Sequence, residues 1–241
     1  MRKTWLCVLM LLTANAHAWQ GQALVGASGD YARYDGQYDI GLFYSGIPLL
    51  PQTNFQDRQR NHGFGGGVLA GYQVTHNQWL LGLEVAADWY DTNQERVSTF
   101  TDDFSALVWN TSLQYRNKGF YAMSARAGYA MAPFFLSYVR LGVEATHHEM
   151  IARFQGAPTV YPSGLTLKED PWQNHVFVGV GAEFPLTTSC DLSLRMEYNY
   201  HFPSYTLRGS GRINDGGINP LFSVEAKPSI DTGKVSLVWN F

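Results

Sequence analysis

The sequence predicts an all-β fold: a transmembrane antiparallel up-and-down β-barrel of eight strands, with four long extracellular loops and short periplasmic turns. Three observations predict it. Segments of about 10 to 14 residues alternate apolar side chains with small, polar or charged ones. Aromatic residues cap several of the apolar rows. Finally, the connections switch between a few residues and roughly 25 or more, as barrels of outer membranes do. Composition agrees: 24 Gly, 14 Tyr, 14 Phe and 7 Trp accompany only 15% charged residues. Such a mixture is poor in helix formers and rich in strand and interface residues.

The chain begins with Met1-Arg2-Lys3, an apolar run from Trp5 to Leu12, and Ala16-His17-Ala18. A positive start, a short apolar stretch and small residues at a cleavage site predict a secretory signal peptide over 1–18. The barrel domain is then expected over 19–241. Loss of Arg2 and Lys3 takes the formal net charge from −3 to −5, with no basic stripe of the kind a nucleic-acid binder carries. Of the 2 cysteines, Cys7 leaves with the leader and Cys190 remains, so no intramolecular disulfide is expected.

The strands are expected at 22–34, 62–74, 79–90, 120–131, 134–148, 174–186, 190–202 and 232–241. The third is the clearest. Trp79, Leu81, Leu83, Val85, Ala87 and Trp89 form one face, and Leu80, Gly82, Glu84, Ala86 and Asp88 the other. Trp at both ends of the first row reads as an interfacial girdle, with lipid between. Val139, Leu141 and Val143, then Val176, Val178 and Val180, then Leu192, Leu194, Met196, Tyr198 and Tyr200 repeat the pattern. Tight turns fall at Thr75–Gln78, near Ala132-Pro133, and near Thr187–Ser189. Long connections fall near 35–61, 91–119, 149–173 and 203–231. Segment 105–116 also alternates, through Leu107, Trp109, Thr111, Leu113 and Tyr115. It reads either as the outer part of a hairpin above the membrane or as a continuation of strand four. The upper girdle is expected from Tyr31, Phe120, Tyr121, Tyr198 and Tyr200, and the lower from Tyr72, Trp79, Tyr129, Phe184 and Trp239.

The stretches GGGVLAGYQ (65–73), LLGLEVAADW, SARAGYA with YVRLGVEA, FVGVGAEFPL and LSLRMEYNYHF resemble, in order and spacing, the opacity-protein type of eight-stranded outer-membrane barrel. The resemblance covers most of the barrel and none of the long loops. It implies a Gram-negative outer-membrane location and a surface antigen or adhesin that also supports envelope integrity. It further implies outer-membrane lipid and the barrel assembly machinery as partners, a host or surface ligand reached through the loops, and a monomer. The closing Trp239 and Phe241 resemble the assembly signal of that family, with Ser236 where Gly is usual and Val235 where a polar residue is frequent.

Inward positions carry Asp30, Glu84, Asp88, Glu144, Glu183 and Glu197, answered by Arg126, Arg140, Arg195 and Lys234. Eight strands enclose a lumen just wide enough for side chains, and buried charges must be paired. The expected result is a plugged, salt-bridged interior rather than an ion path. His147-His148-Glu149 reads as a rim cluster, since neighbours on a strand point to opposite faces. No metal or other cofactor is expected. Lipid-A deacylase barrels present His and Ser two apart on one strand; no His-x-Ser occurs here, so an enzyme is not expected. Leu42, Phe43, Tyr44, Ile47 and Leu49 make the first loop unusually apolar. They are candidates for a contact site, or for packing against the other loops.

Overall fold

The computed structural model describes residues 19–44, 53–91, 94–101, 107–156, 163–187, 191–202, 206–214 and 219–241. The leader at 1–18 and Cys190 lie outside them. The described residues form eleven strand segments: β1 (Gln20–Tyr44), β2 (Thr53–His76), β3 (Trp79–Asp91), β4 (Gln94–Thr101), β5 (Val108–Ala132), β6 (Phe135–Gln155), β7 (Leu165–Glu169), β8 (Trp172–Pro185), β9 (Leu192–His201), β10 (Leu207–Arg212) and β11 (Pro220–Asn240). They make eight staves, because β4 prolongs β3, β7 prolongs β8 and β10 prolongs β9. Antiparallel ladders run β5-β3-β2-β1-β11-β9-β8-β6, and β6 pairs back with β5 to close the ring. Closure leaves the spanning part without an edge, the condition for strands to cross lipid.

The last residue belongs to that closure. Phe241 N donates to Ala23 O and Ala23 N to Phe241 O, both at 2.9 Å. Turns on the same side are tight. His76 pairs with Trp79 around Asn77-Gln78, where Asn77 takes the left-handed conformation at φ 55°, which Asn tolerates. Ala132 pairs with Phe135 around Pro133-Phe134.

The staves run well past their expected ends on the other side. β1 and β2 stay paired from Gln20 to Leu42, and β1 and β11 as far as Tyr44 opposite Pro220. The four long connections are therefore mostly β-ribbon, not loop. Of segment 105–116, the part from Val108 onward continues strand four, with Trp109, Thr111, Leu113 and Tyr115 all buried. What changes at the girdle is which face is apolar. On β11, Val235, Leu237 and Trp239 are exposed while Lys234 and Ser236 are buried; further out, Val224, Ala226 and Ile230 are buried and Lys227 faces out. Alternation continues, but its polarity inverts where lipid gives way to water.

Inside the ribbons lies an apolar core. Trp109 and Phe154 pack on Phe222 with ring centroids 4.9 and 4.5 Å apart, joined by Tyr38, Ile40, Leu42, Met150 and Leu207. Around this core the ring opens into two half-sheets, β4-β5-β6-β7 and β2-β1-β11-β10. Among the described residues no ladder joins β4 to β2 or β7 to β10. Side chains close the first seam: Arg96 donates to Arg58 O at 3.0 Å and pairs with Asp57 at 2.8 Å. Leu167 closes the second by lying over Gly211, where a Cβ would meet it at 2.6 Å.

The girdle assignment needs one correction. Phe120 is buried against Tyr90, while Tyr121 faces out; neighbours on a strand cannot share a face. A bulge between Asn117 and Gly119 then restores the inward phase for Tyr115 and Leu113. Gly119 sits at φ +137°, and a Cβ there would lie 2.8 Å from Asp88 O. Replacing Gly119 with Ala is therefore expected to cost about 1–3 kcal/mol, measured by urea unfolding in detergent micelles.

Candidate functional site

Strand alternation aims every second residue of the spanning staves into the lumen of an eight-stranded ring, which is just wide enough for side chains, so charges there must be paired. Glu84 on β3 is the hub. It lies 2.7 Å from Arg195 on β9, 3.1 Å from Arg126 on β5 and 4.0 Å from Arg140 on β6. Glu183 on β8 takes Arg126 and Arg195 at 2.9 Å each, and Glu197 takes Arg140 at 3.1 Å and the Tyr138 hydroxyl at 2.8 Å. Lys234 joins Asp88 at 2.6 Å and Asp30 at 3.8 Å. Arg126 also donates to Gln73. All nine of these sequence-selected charges are buried, as is the tenth, Glu144.

Glu144 is the exception to the acid–base matching, since its partner is a histidine. His201 Nδ1 lies 2.7 Å from Glu144 and its Nε2 lies 3.2 Å from the Thr232 hydroxyl. β9, expected over 190–202, ends at His201 and turns it inward. The Thr–His–Glu connectivity is that of a nucleophile, base and orienting acid. Thr232, however, is wholly buried, and Phe120 and Phe177 both pack on His201.

Above that group, His148 Nδ1 meets the Tyr115 hydroxyl at 2.6 Å and its Nε2 meets His175 Nε2 at 3.3 Å. Asn117 donates to the Tyr34 hydroxyl at 2.8 Å and accepts from Gly119 N at 2.9 Å. These residues form the polar floor of the apolar core. His147 points the other way, stacking on Trp172 and pairing with Asp170 at 2.7 Å.

Of the apolar candidates at 42–49, Leu42 is buried in the ribbon core, and Phe43 and Tyr44 are half-buried at its edge. Packing, not display, accounts for Leu42. Ile47 and Leu49 lie outside the described residues. Trp239 and Phe241 face outward at the turn end, 59% and 67% exposed, so their side chains meet lipid rather than the lumen.

The outward faces of the ribbons are charged. Arg58 grips Asp35 through two contacts of 2.5 Å, with Arg60 at 3.4 Å. The Arg58 hydrogen bond holds the Asp35 carboxyl below its ordinary range. Lys227 lowers Glu225 in the same way, at 3.0 Å.

A closed ring with a lipid-facing belt, a filled lumen and paired interior charges now stands complete. The chain matches the family described as outer membrane protein beta-barrel domain over residues 4–241. It belongs to that family. This barrel is accordingly an outer-membrane protein. No curated protein matches it. Among solved structures it is similar to the outer membrane protein OprG from Pseudomonas aeruginosa, at 14% identity and TM-score 0.50 over 91% of this chain and 96% of that one. It is also similar to the outer membrane protease OmpT from Escherichia coli (8% identity, TM-score 0.46, 90% and 97% covered). A third is Ail, the attachment invasion locus protein of Yersinia pestis (15%, 0.34, 88% and 99%). At these identities the likeness to OprG is one of fold alone.

Arg195→Met leaves Glu84 and Glu183 buried with fewer counter-charges. It is expected to destabilise the barrel by about 3–5 kcal/mol, read from the shift of the unfolding midpoint on unboiled gels. The ribbon bridges give a pH prediction of opposite location. Asp35 and Glu225 have folded values below their unfolded ones. Their contribution is complete above the ordinary carboxylate range and is lost as pH falls through the folded values. Protease cleavage of the ribbons is therefore expected to rise below about pH 4 while the spanning core stays protected.

Proposed function

We propose that this barrel is a surface scaffold: a sealed membrane anchor that presents a rigid β-head to the outside for recognition of a host or surface ligand, and that adds to envelope integrity. The carrying observation is the apolar core within the ribbons. Trp109, Phe154 and Phe222 are essentially unexposed, and burying each such side chain contributes about 1.5–3 kcal/mol. That orders the described parts of the four connections into one body, and the remaining stretches of sequence at 45–52, 102–106, 157–162 and 215–218 are the natural points of variation and contact.

Supporting assignments belong to the same reading. Residues 1–18 act as the export leader, and Trp239 with Phe241 act as the signal read by the assembly machinery. The buried charges serve as a structural plug, and the protein works as a monomer without a cofactor and without enzymatic activity.

Deleting those four stretches is expected to abolish adherence of bacteria displaying the protein while the barrel remains heat-modifiable; unchanged adherence would contradict the scaffold reading. In planar bilayers the purified protein is expected to give no stepwise conductance. Regular opening steps would instead support a small passive pore.

A further inference from the structure

Three of the four cations described in the lumen are arginines, the side chain suited to a buried ion pair. The fourth is Lys234, whose amine, unlike a guanidinium, can give up a proton and act as a nucleophile. It is the one buried lysine among the described residues. Lys168 and Lys227 also touch carboxylates, Glu149 at 2.7 Å and Glu225 at 3.0 Å, but both are more than half exposed. Water there keeps ammonium and carboxylate as ions.

Lys234 meets two acids. Asp30, its register partner on β1, lies 3.8 Å away, while Asp88 approaches to 2.6 Å from β3, three staves round the ring. Glu197, the register partner on β9, is turned to Arg140 and Tyr138 instead. The side chains of Asp30, Asp88 and Lys234 are only 0%, 2% and 6% exposed, which shuts the cluster away from solvent. Aromatic groups wall it. The Phe120 ring lies 5.5 Å from Lys234 Nζ, and the Tyr90 hydroxyl donates to Asp30 Oδ2 at 3.4 Å. Asp30 Oδ1 is buried with no hydrogen-bond partner. Opposite Asp88 on β2 stands Gly67, where a Cβ would overlap the Asp88 carboxyl, so a glycine leaves that group its room.

An amine, a carboxyl in contact with it and a second carboxyl beside the amine are the parts of an amide-forming centre. We propose that Lys234 and Asp88 condense after folding into an intramolecular amide across the lumen, with Asp30 as the acid–base group. Lys234 Nζ passes one proton to the Asp88 carboxyl, an exchange that burial makes less costly than in water. The nitrogen lone pair then attacks Asp88 Cγ. Asp30 takes a second proton from the nitrogen and delivers it to the departing oxygen, so the C–O bond breaks and that oxygen leaves as water. One ammonium and one carboxylate thus become one amide and one water; nothing is oxidised or reduced, and Asp30 ends as it began. Free amines and carboxylates do not condense in dilute solution, but groups held in contact act as if at about 10⁵–10⁸ M. The bond ties the third stave to the last and does not depend on what the head recognises.

Mass reads the bond directly. Protein purified from outer membranes and then denatured is expected to weigh one water less than its sequence, and digestion to release a branched peptide joining the segments of Asp88 and Lys234. Lys234→Arg and Asp88→Ala are each expected to restore the full mass. Asp30→Asn keeps both reacting groups and is expected to form the bond about 10²–10⁴-fold more slowly, followed by mass after refolding from urea into micelles. Heat-modifiability establishes that each variant folds, and the wild-type mass and branched peptide decide the matter even where one does not. Wild type at full mass, a missing water that maps elsewhere in the chain, or a shift that survives Lys234→Arg would each overturn the proposal. So would Asp30→Asn reacting at the wild-type rate.

Discussion

One continuous sheet faces two solvents, and that constraint governs the rest of the molecule. Between the girdles the outer face is in acyl chains, where an unpaired backbone group or charge is too costly to persist. The ladder must close there and the charges must turn inward. Beyond the girdle the outer face is in water, so the same staves turn apolar residues inward. β11 shows both regimes on one strand, with Lys234 buried in the first and Val224 buried in the second. Closure is obligatory only in lipid, and only in water does the ring relax into two half-sheets.

Two interiors follow, stacked end to end. The lower is ionic and its geometry is set by pairing, with Glu84 shared among three arginines. The upper is aromatic and packs like the core of a soluble domain. Between them sits a floor of His148, His175, His201, Asn117 and Thr146, all deeply buried. Hydrogen bonds rather than ion pairs dominate that floor, as suits a boundary between a charged layer and an apolar one. The result is a stiff rod rather than a tube.

Much of this was legible in the sequence where one solvent rule applied. The row from Trp79 to Trp89 declared lipid on one side, and Arg126, Arg140 and Arg195 declared pairing on the other. The ribbons were harder to read because the pattern reversed there. Asp35, Gln37, Arg58 and Arg60 look like loop polarity unless their inward neighbours Tyr34, Tyr38 and Ile40 are weighed as a core. The stretch from Leu107 to Tyr115 was the visible clue, an alternating segment with no membrane left to cross. Phe120 was misread as a partner of Tyr121, although even spacing from inward Arg126 places it in the lumen; what no periodicity reports is the bulge between Asn117 and Gly119, which shifts the phase for Tyr115 and Leu113. His201 was missed as a partner for Glu144 because the two are 57 residues apart in the chain and meet only across the lumen.

The inversion itself can be measured directly. Single cysteines placed along β11 in a Cys190→Ser background, spin-labelled and reconstituted in bilayers, report collisions with oxygen dissolved in lipid and with a nickel chelate dissolved in water. Labels at Val235 and Leu237 are expected to favour oxygen, those at Lys227 and Ser229 to favour nickel, and one at Val224 to meet neither. Strong nickel access at Val224, or oxygen access at Lys227, would contradict a sheet whose faces exchange roles at the girdle.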